Sequence, residues 1–320
     1  MKKQPSWSAL LGRNAALVAR SLKPLRERRR PPAGAGSWLM GVVMSAGGPR
    51  RYWLFRPEGV RFGERLPLMV MLHGCHQDAK SFADSTRMNA VAARERFLVL
   101  YPEQPRLSNA QGCWNWFDTA SGRAFGEAAW IMQAVDQVCM LYAADRERIA
   151  VAGLSAGASM AALLATRYPQ RFKALAMHSG VPPGMASNSA SAMGAMRGRR
   201  EAPEVEGEPA WPPLIVIHGD EDGIVSARNA GAAVQMWSRA AGARPGPARE
   251  LKRGKRYPMR VTQFRRAGEV VATLVEVGRL GHAWSGGAAR QRFADAQGPD
   301  ASRMVWRFAE QQFGANAPAR

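Results

Sequence analysis

The sequence predicts an α/β protein, a mostly parallel, doubly wound sheet with helices on both faces, and three observations carry that expectation. Short apolar strand patterns alternate with helical ones along most of the chain. The run Leu68-Met69-Val70-Met71-Leu72-His73 is uninterrupted in its apolar character, as expected of a strand covered on both faces. A serine stands between two glycines in Gly153-Leu154-Ser155-Ala156-Gly157, with a strand pattern before it and a small-residue helix pattern after it. That arrangement reads as a nucleophile elbow, where side chains at the two glycines would collide with the strand and helix packed around the turn.

At 320 residues the chain is long enough for one large α/β domain with a sizeable core, preceded by a basic tail. The tail, residues 1–36, holds nine Lys or Arg against Glu27, a net +8 of the total formal charge of +20. Trp7, Leu11, Ala15, Val18, Leu22 and Leu25 fall at helical spacing within it, which predicts a basic amphipathic helix over 5–26. Such a helix fits an interfacial anchor on a membrane or granule, or a tail held loosely on the body. Arg13 and Arg20 interrupt what would be the apolar core of a signal peptide, and Pro31–Gly36 reads as a linker. No apolar run approaches the roughly 18 to 20 residues needed to span a bilayer. The basic balance comes without interleaved aromatics or a nucleic-acid motif, so no nucleic-acid partner is expected.

The remaining chain, 37–320, is expected to form the catalytic domain. Strands are predicted at 52–56 and 68–73, helix signals at 81–95, and a strand at 97–101. A Trp-rich loop over 105–124 precedes a helix near 125–142, followed by the elbow strand 148–152, its helix and a strand at 174–178. The Ser/Gly/Pro/Met-rich segment 180–212 lies where a lid would be inserted, with Met185, Met193 and Met196 as an adaptable apolar wall or a plain surface insertion. A strand at 214–218, a helix near 226–241, β-like stretches at 259–264 and 270–277 and a helix near 300–313 complete the pattern. There are no internal repeats.

Ser155 needs a base to take its proton and an acid to orient that base. The chain offers five histidines. His73 and His218 each precede a glycine at a strand end, His178 ends the strand after the elbow helix, and His76 sits in a turn. His282 lies in a glycine-flanked loop after the last strand, and the order serine, acid, histidine requires the base to come last. Between serine and base, the loop His218-Gly219-Asp220-Glu221-Asp222 follows a strand. Asp222 is preferred as the acid because it lies further into the loop, with Asp220 as a turn or cap residue. For the oxyanion, the N–H groups of Ala156 and Cys75 are the expected donors. Trp114, Trp116, Phe117 and Trp284 border the expected site, and Trp116 and Trp284 are assigned to substrate binding.

Five motifs, Leu72-His73-Gly74-Cys75, Gly112-Cys113-Trp114-Asn115-Trp116-Phe117, the elbow, His218-Gly219 with Asp222, and Gly281-His282-Ala283-Trp284-Ser285-Gly286-Gly287, together resemble the polyhydroxybutyrate depolymerase family of α/β-hydrolase esterases, whose relatives include feruloyl and acetylxylan esterases. The resemblance runs from about residue 50 to 313. It implies an α/β-hydrolase fold, a Ser155–Asp222–His282 triad cleaving 3-hydroxyalkanoate polyester or oligomer esters, and no metal or organic cofactor. The enzymatic alternative is a feruloyl- or acetylxylan-type carboxylesterase, and the non-catalytic one a granule- or membrane-binding protein on the same fold. The family is secreted, whereas residues 1–36 depart from its secretion signal, so extracellular and cytoplasmic placements both stay open. The resemblance also implies a Cys75–Cys113 disulfide, with two free thiols in a reducing compartment as the alternative, and Cys139 as a core residue.

Overall fold

The computed structural model describes residues 31–207 and 209–315, so the helix expected over 5–26 lies outside the described residues. The chain from Ala33 onward forms one unit. Its first elements, β1 (Gly36–Ser45) and β2 (Gly48–Pro57), make an antiparallel hairpin. The linker expected over Pro31–Gly36 thus ends where a strand begins that the sequence pattern did not reveal. The reason lies in its side chains: Met40, Val42 and Met44 are 56%, 43% and 71% exposed, so apolar residues occupy both faces of the strand and blur the period-2 alternation.

Every residue of β3 (Leu66–Leu72) is buried. Its side chains alternate between two cores, with Leu68, Val70 and Leu72 on one face and Met69 and Met71 on the other. β4 (Leu98–Pro102), β5 (Ala144–Leu154), β6 (Ala174–His178), β7 (Leu214–Gly219) and β11 (Glu269–Val277) join β3 in a parallel block ordered β4-β3-β5-β6-β7-β11. Antiparallel wings extend it. β2 pairs β4 on one side, and β10 (Met259–Arg266), carrying β8 (Arg244–Pro245) and β9 (Arg249–Leu251), pairs β11 on the other.

The helices divide between the same two cores. α3 (Arg123–Leu141), α4 (Ala156–Arg167) and α6 (Arg228–Ala241) bring Val138, Leu164 and Trp237 to the first. α1 (Ala79–Thr86), α2 (Met88–Glu95) and α7 (Ala301–Ala315) bring Phe82, Met88 and Trp306 to the second. The single helical signal read over 81–95 is therefore two helices, broken where Arg87 adopts a left-handed conformation at φ 59°. Segment 180–212 contains α5 (Ser189–Met196), capped by Asn188, whose side chain accepts the Ser191 N–H while Ser191 Oγ receives the Asn188 N–H. β12 (Trp284–Ser285) and β13 (Ala294–Asp295) form a separate two-residue pair.

The junction of β5, Ser155 and α4 is a close backbone approach. A Cβ at Gly157 would lie 2.1 Å from the Leu72 carbonyl oxygen, and one at Gly153 would lie 2.3 Å from the Gly157 carbonyl. Both neighbours are backbone, which has no side-chain rotamer with which to give way. Gly157→Ala is therefore expected to cost about 1–3 kcal/mol of stability, read as a lowered urea midpoint at unchanged slope.

Candidate active site

Ser155 stands at the turn from β5 into α4 with φ 56° and ψ −121°, outside the ordinary regions for a non-glycine residue. Its amide donates to the His178 carbonyl at the end of β6, 2.8 Å away. Ala156, the first residue of α4, carries one of the N–H groups that have no partner inside the helix. The turn after β3 lies against the elbow: a Cβ at Gly74 would be 3.6 Å from Ser155 Cβ. In that turn Gly74 N–H donates to Gln77 Oε1 and His76 N–H to the Gln111 carbonyl. The Cys75 amide between them makes no hydrogen bond among the described residues. Cys75 and Ala156 line the same pocket.

The structure separates the carboxylates of the loop after β7. Asp220 Oδ1 accepts the Arg279 amide at 2.7 Å, a turn contact, whereas Asp222 Oδ2 lies 2.8 Å from His282 Nδ1. Asp222 Oδ1 accepts the amides of Ile224 and Val225 at 3.0 and 2.9 Å, which fixes the carboxylate plane. Its side chain has no accessible surface and that of His282 only 8%. Burial pushes the Asp222 carboxyl up, but hydrogen bonds from His218 and His282 outweigh it and hold it well below the usual carboxylate range.

His218 is a member of this cluster that sequence reasoning treated only as a strand-end histidine. Its Nε2 sits 2.9 Å from the Val225 carbonyl and 3.3 Å from Asp222 Oδ2. Both are acceptors, so the ring proton is on Nε2. Ser155 Oγ and His282 Nε2 are not joined by a hydrogen bond in this structure, as is common where catalytic contacts tighten only on substrate. The elbow and the His282 loop meet through His178 instead: its Nε2 accepts the Ser285 amide at 3.1 Å, and its ring stacks on Trp284 at 5.0 Å.

Trp284 requires a correction. It is 1% exposed, donates its indole N–H to Ser302 Oγ and meets Phe82 edge-on, so it supports the base loop from within the core and has no face for a substrate. Trp116 does line the pocket, a cavity of about 290 Å³ that also takes in Phe117, Ser155, Val181, Met193 and Val225. α5 supplies Ala192, Met193 and Met196 to that wall, while Met185 is in the core.

Cys75 and Cys113 form a disulfide that ties the oxyanion turn to the Trp loop, and Cys139 is a half-buried free thiol. The loop is braced a second time by Glu127 of α3, a residue with no sequence signal beyond a charge at a helical position. Its carboxylate accepts from Gln104 Nε2, Asn115 Nδ2 and Asn115 N at 2.6, 2.5 and 2.8 Å. Burial raises its carboxyl above the ordinary value, opposed by those hydrogen bonds. The Gln104 backbone N–H in turn donates to His73 Nε2 at 3.1 Å. Among the described residues no group of His, Cys, Asp and Glu is arranged to hold a metal ion, and no helix is long and apolar enough to cross a membrane.

Parallel block, elbow, late histidine and buried aspartate together define an α/β-hydrolase with a serine nucleophile elbow. The family described as Esterase PHB depolymerase matches residues 50–249, and the chain belongs to it. That span includes Ser155 and Asp222, while His282 lies beyond it. Poly(3-hydroxyalkanoate) depolymerase C of Paucimonas lemoignei is 32% identical over 189 residues, covering 54% of this chain but only 44% of that protein. Feruloyl esterase B of Neurospora crassa is 31% identical over 216 residues, 59% of this chain and 73% of the esterase. Among solved structures, an acetyl xylan esterase from Aspergillus awamori shares the fold with a TM-score of 0.62 at 18% identity, covering 76% and 94% of the two chains.

Two measurements follow from this geometry. Replacing both bridge cysteines, Cys75→Ala with Cys113→Ala, opens a loop of sequence separation 38 and is expected to cost about 4 kcal/mol in the chain-entropy account, read by urea unfolding of oxidised protein. The second concerns acid. Burial first, then the neighbouring His218 and His282, lowers His178 to about 3. Its contribution to stability is complete above the unfolded histidine pKa near 6.5 and is lost as pH falls from there toward 3. From pH 7 to 5 this is about 2 kcal/mol. Asp222 acts only at lower pH, since its stabilising contribution fades as pH falls below the ordinary carboxylate value. His73, buried and lowered by desolvation, acts with the same sign as His178, so His178→Gln is expected to reduce the loss between pH 7 and 5 without abolishing it.

Proposed function

We propose that the protein is a serine carboxylic ester hydrolase. Ser155 Oγ attacks the ester carbonyl and His282 takes the serine proton at Nε2. Asp222 holds Nδ1–H and stabilises the imidazolium that results. The oxyanion is met by the amides of Ala156 and Cys75, groups of a kind worth about 3–4 kcal/mol each at the transition state. His282 then passes the proton to the leaving alcohol, and water, deprotonated by the same ring, releases the acid from the acyl-enzyme. The observation that carries the reading is the 2.8 Å contact between a fully buried Asp222 and His282 Nδ1, on the loop that also reaches the residue supporting Ser155.

For the substrate we favour esters of 3-hydroxyalkanoates, as oligomers or polyester. A cavity of about 290 Å³ walled by Trp116, Phe117, Val181, Met193 and Met196 suits a short apolar acyl unit rather than a charged one. The feruloyl or acetylxylan ester reading is favoured by a different observation, the match over 73% of the Neurospora feruloyl esterase.

The test is turnover of p-nitrophenyl butyrate by wild type and Ser155→Ala. A loss of roughly 10⁴-fold or more is expected on removing the serine, and equal rates, or none in either protein, would end the hydrolase proposal. Product analysis on 3-hydroxybutyrate trimer against methyl ferulate then separates the substrates. Faster release of 3-hydroxybutyrate is expected, and preferential ferulate release would transfer the assignment to the aryl esters.

A further inference from the structure

We infer that His178 is a positioning residue for this reaction, holding the nucleophile elbow and the His282 loop in register as a neutral imidazole. The inference rests on the hydrolase reading above, but it makes a structural claim that can be measured apart from it. His178 is the last residue of β6 and 1% exposed. Its carbonyl accepts the Ser155 amide at 2.8 Å, tethering the backbone N–H of the strained residue. Its ring reaches the other way, to a loop 107 residues later in sequence.

The chemistry of that second contact fixes the state of the ring. The Ser285 amide can only donate, so Nε2 must carry a lone pair and the one ring proton sits on Nδ1, which lies 3.2 Å from Ser179 Oγ. Protonating Nε2 would set an N–H against an N–H. The strand pattern of β12 explains why Ser285 is available. Trp284 and Gly286 direct their amides to the Phe293 and Asp295 carbonyls at 2.8 Å each, and the alternation between them turns the Ser285 amide toward β6. Trp284 lies over the imidazole at an interplanar angle of 26°, closing the contact from one side.

The titratable groups that face this ring are His218, His282 and Asp222. During turnover His282 becomes cationic, and a second cation at His178 would oppose it. A neutral ring adds no second cation to compete with His282 for the Asp222 carboxylate. One residue thus joins Ser155 through its backbone and the segment two and three residues past His282 through its side chain. A side chain that merely filled the space would be replaceable by an apolar group of similar length; a positioning acceptor would not.

The experiment compares His178→Met with His178→Gln in the full chain. Gln cannot titrate, yet its Oε1 reaches about as far as Nε2. Expected for Met is a fall in kcat of about 100-fold, the scale of a misplacement near 1 Å, with KM within about twofold, and faster hydrogen exchange at the Ser285 amide. Gln is expected to restore both. Unchanged kcat in the Met variant, a Gln variant as impaired as Met, or unchanged Ser285 protection in Met would each overturn the inference. Should the Met variant fail to fold, His178→Asn, polar but too short to reach Ser285, takes its place. If the wild type hydrolyses no ester, the functional reading falls, and Ser285 exchange in the same variants still decides whether His178 holds the loop.

Discussion

The strained backbone at Ser155 is what the surrounding structure exists to hold. A non-glycine residue at φ 56° and ψ −121° is worth about 1–3 kcal/mol of strain, and such a conformation persists only if its neighbours over-determine it. They do so from three directions. The end of β3 and the N-terminus of α4 approach so closely that only glycine fits at 157. The end of β6 supplies the carbonyl for the Ser155 amide. The β3 turn closes over the top, where Gly74 lies against the serine. Parallel strands matter here because their C-terminal ends lie at one edge of the sheet, so the loops after β3, β5, β6, β7 and β11 can all reach the same point.

Charge and hydrogen bonding are organised around the same point. Asp222 is buried yet ionised because two histidines and two backbone amides donate to it. Glu127, also buried, is satisfied by amide donors and stays uncoupled from the base. One buried carboxylate orients a proton carrier; the other braces a loop. The distinction comes from donor type, since an imidazole can pass a proton on and an asparagine cannot.

Much of this was legible in the sequence, and the failures have physical causes. The elbow could be read because its demand is local: strand, glycine, serine, glycine and helix follow one another in the chain. Asp222 could be preferred over Asp220 from its position further into the loop. The Cys75–Cys113 bridge came through family resemblance rather than from spacing. Trp284 was misplaced because a tryptophan next to the expected base looks the same in sequence whether it faces a substrate or the core, and only Phe82, His178 and Ser302 around it decide. His178 was missed as a participant because its partner, Ser285, lies 107 residues away and donates through a backbone amide, and Glu127 because its donors, Gln104 and Asn115, lie in the loop before its helix, where only the fold brings them to its carboxylate. β1 escaped because both of its faces carry apolar residues.

The burial of Trp284 has a consequence for how the molecule would fail. β12 and β13 pair with each other inside the base loop and do not tie it to the body. What ties it there is the buried Trp284 side chain, packed against Phe82 and His178, together with a few single hydrogen bonds. Opening free energies within one protein run from near zero where only isolated hydrogen bonds hold a segment up to the global value in the core. Release of the base therefore requires Trp284 to leave the core, so the site cannot come apart without disturbing the packing beneath it.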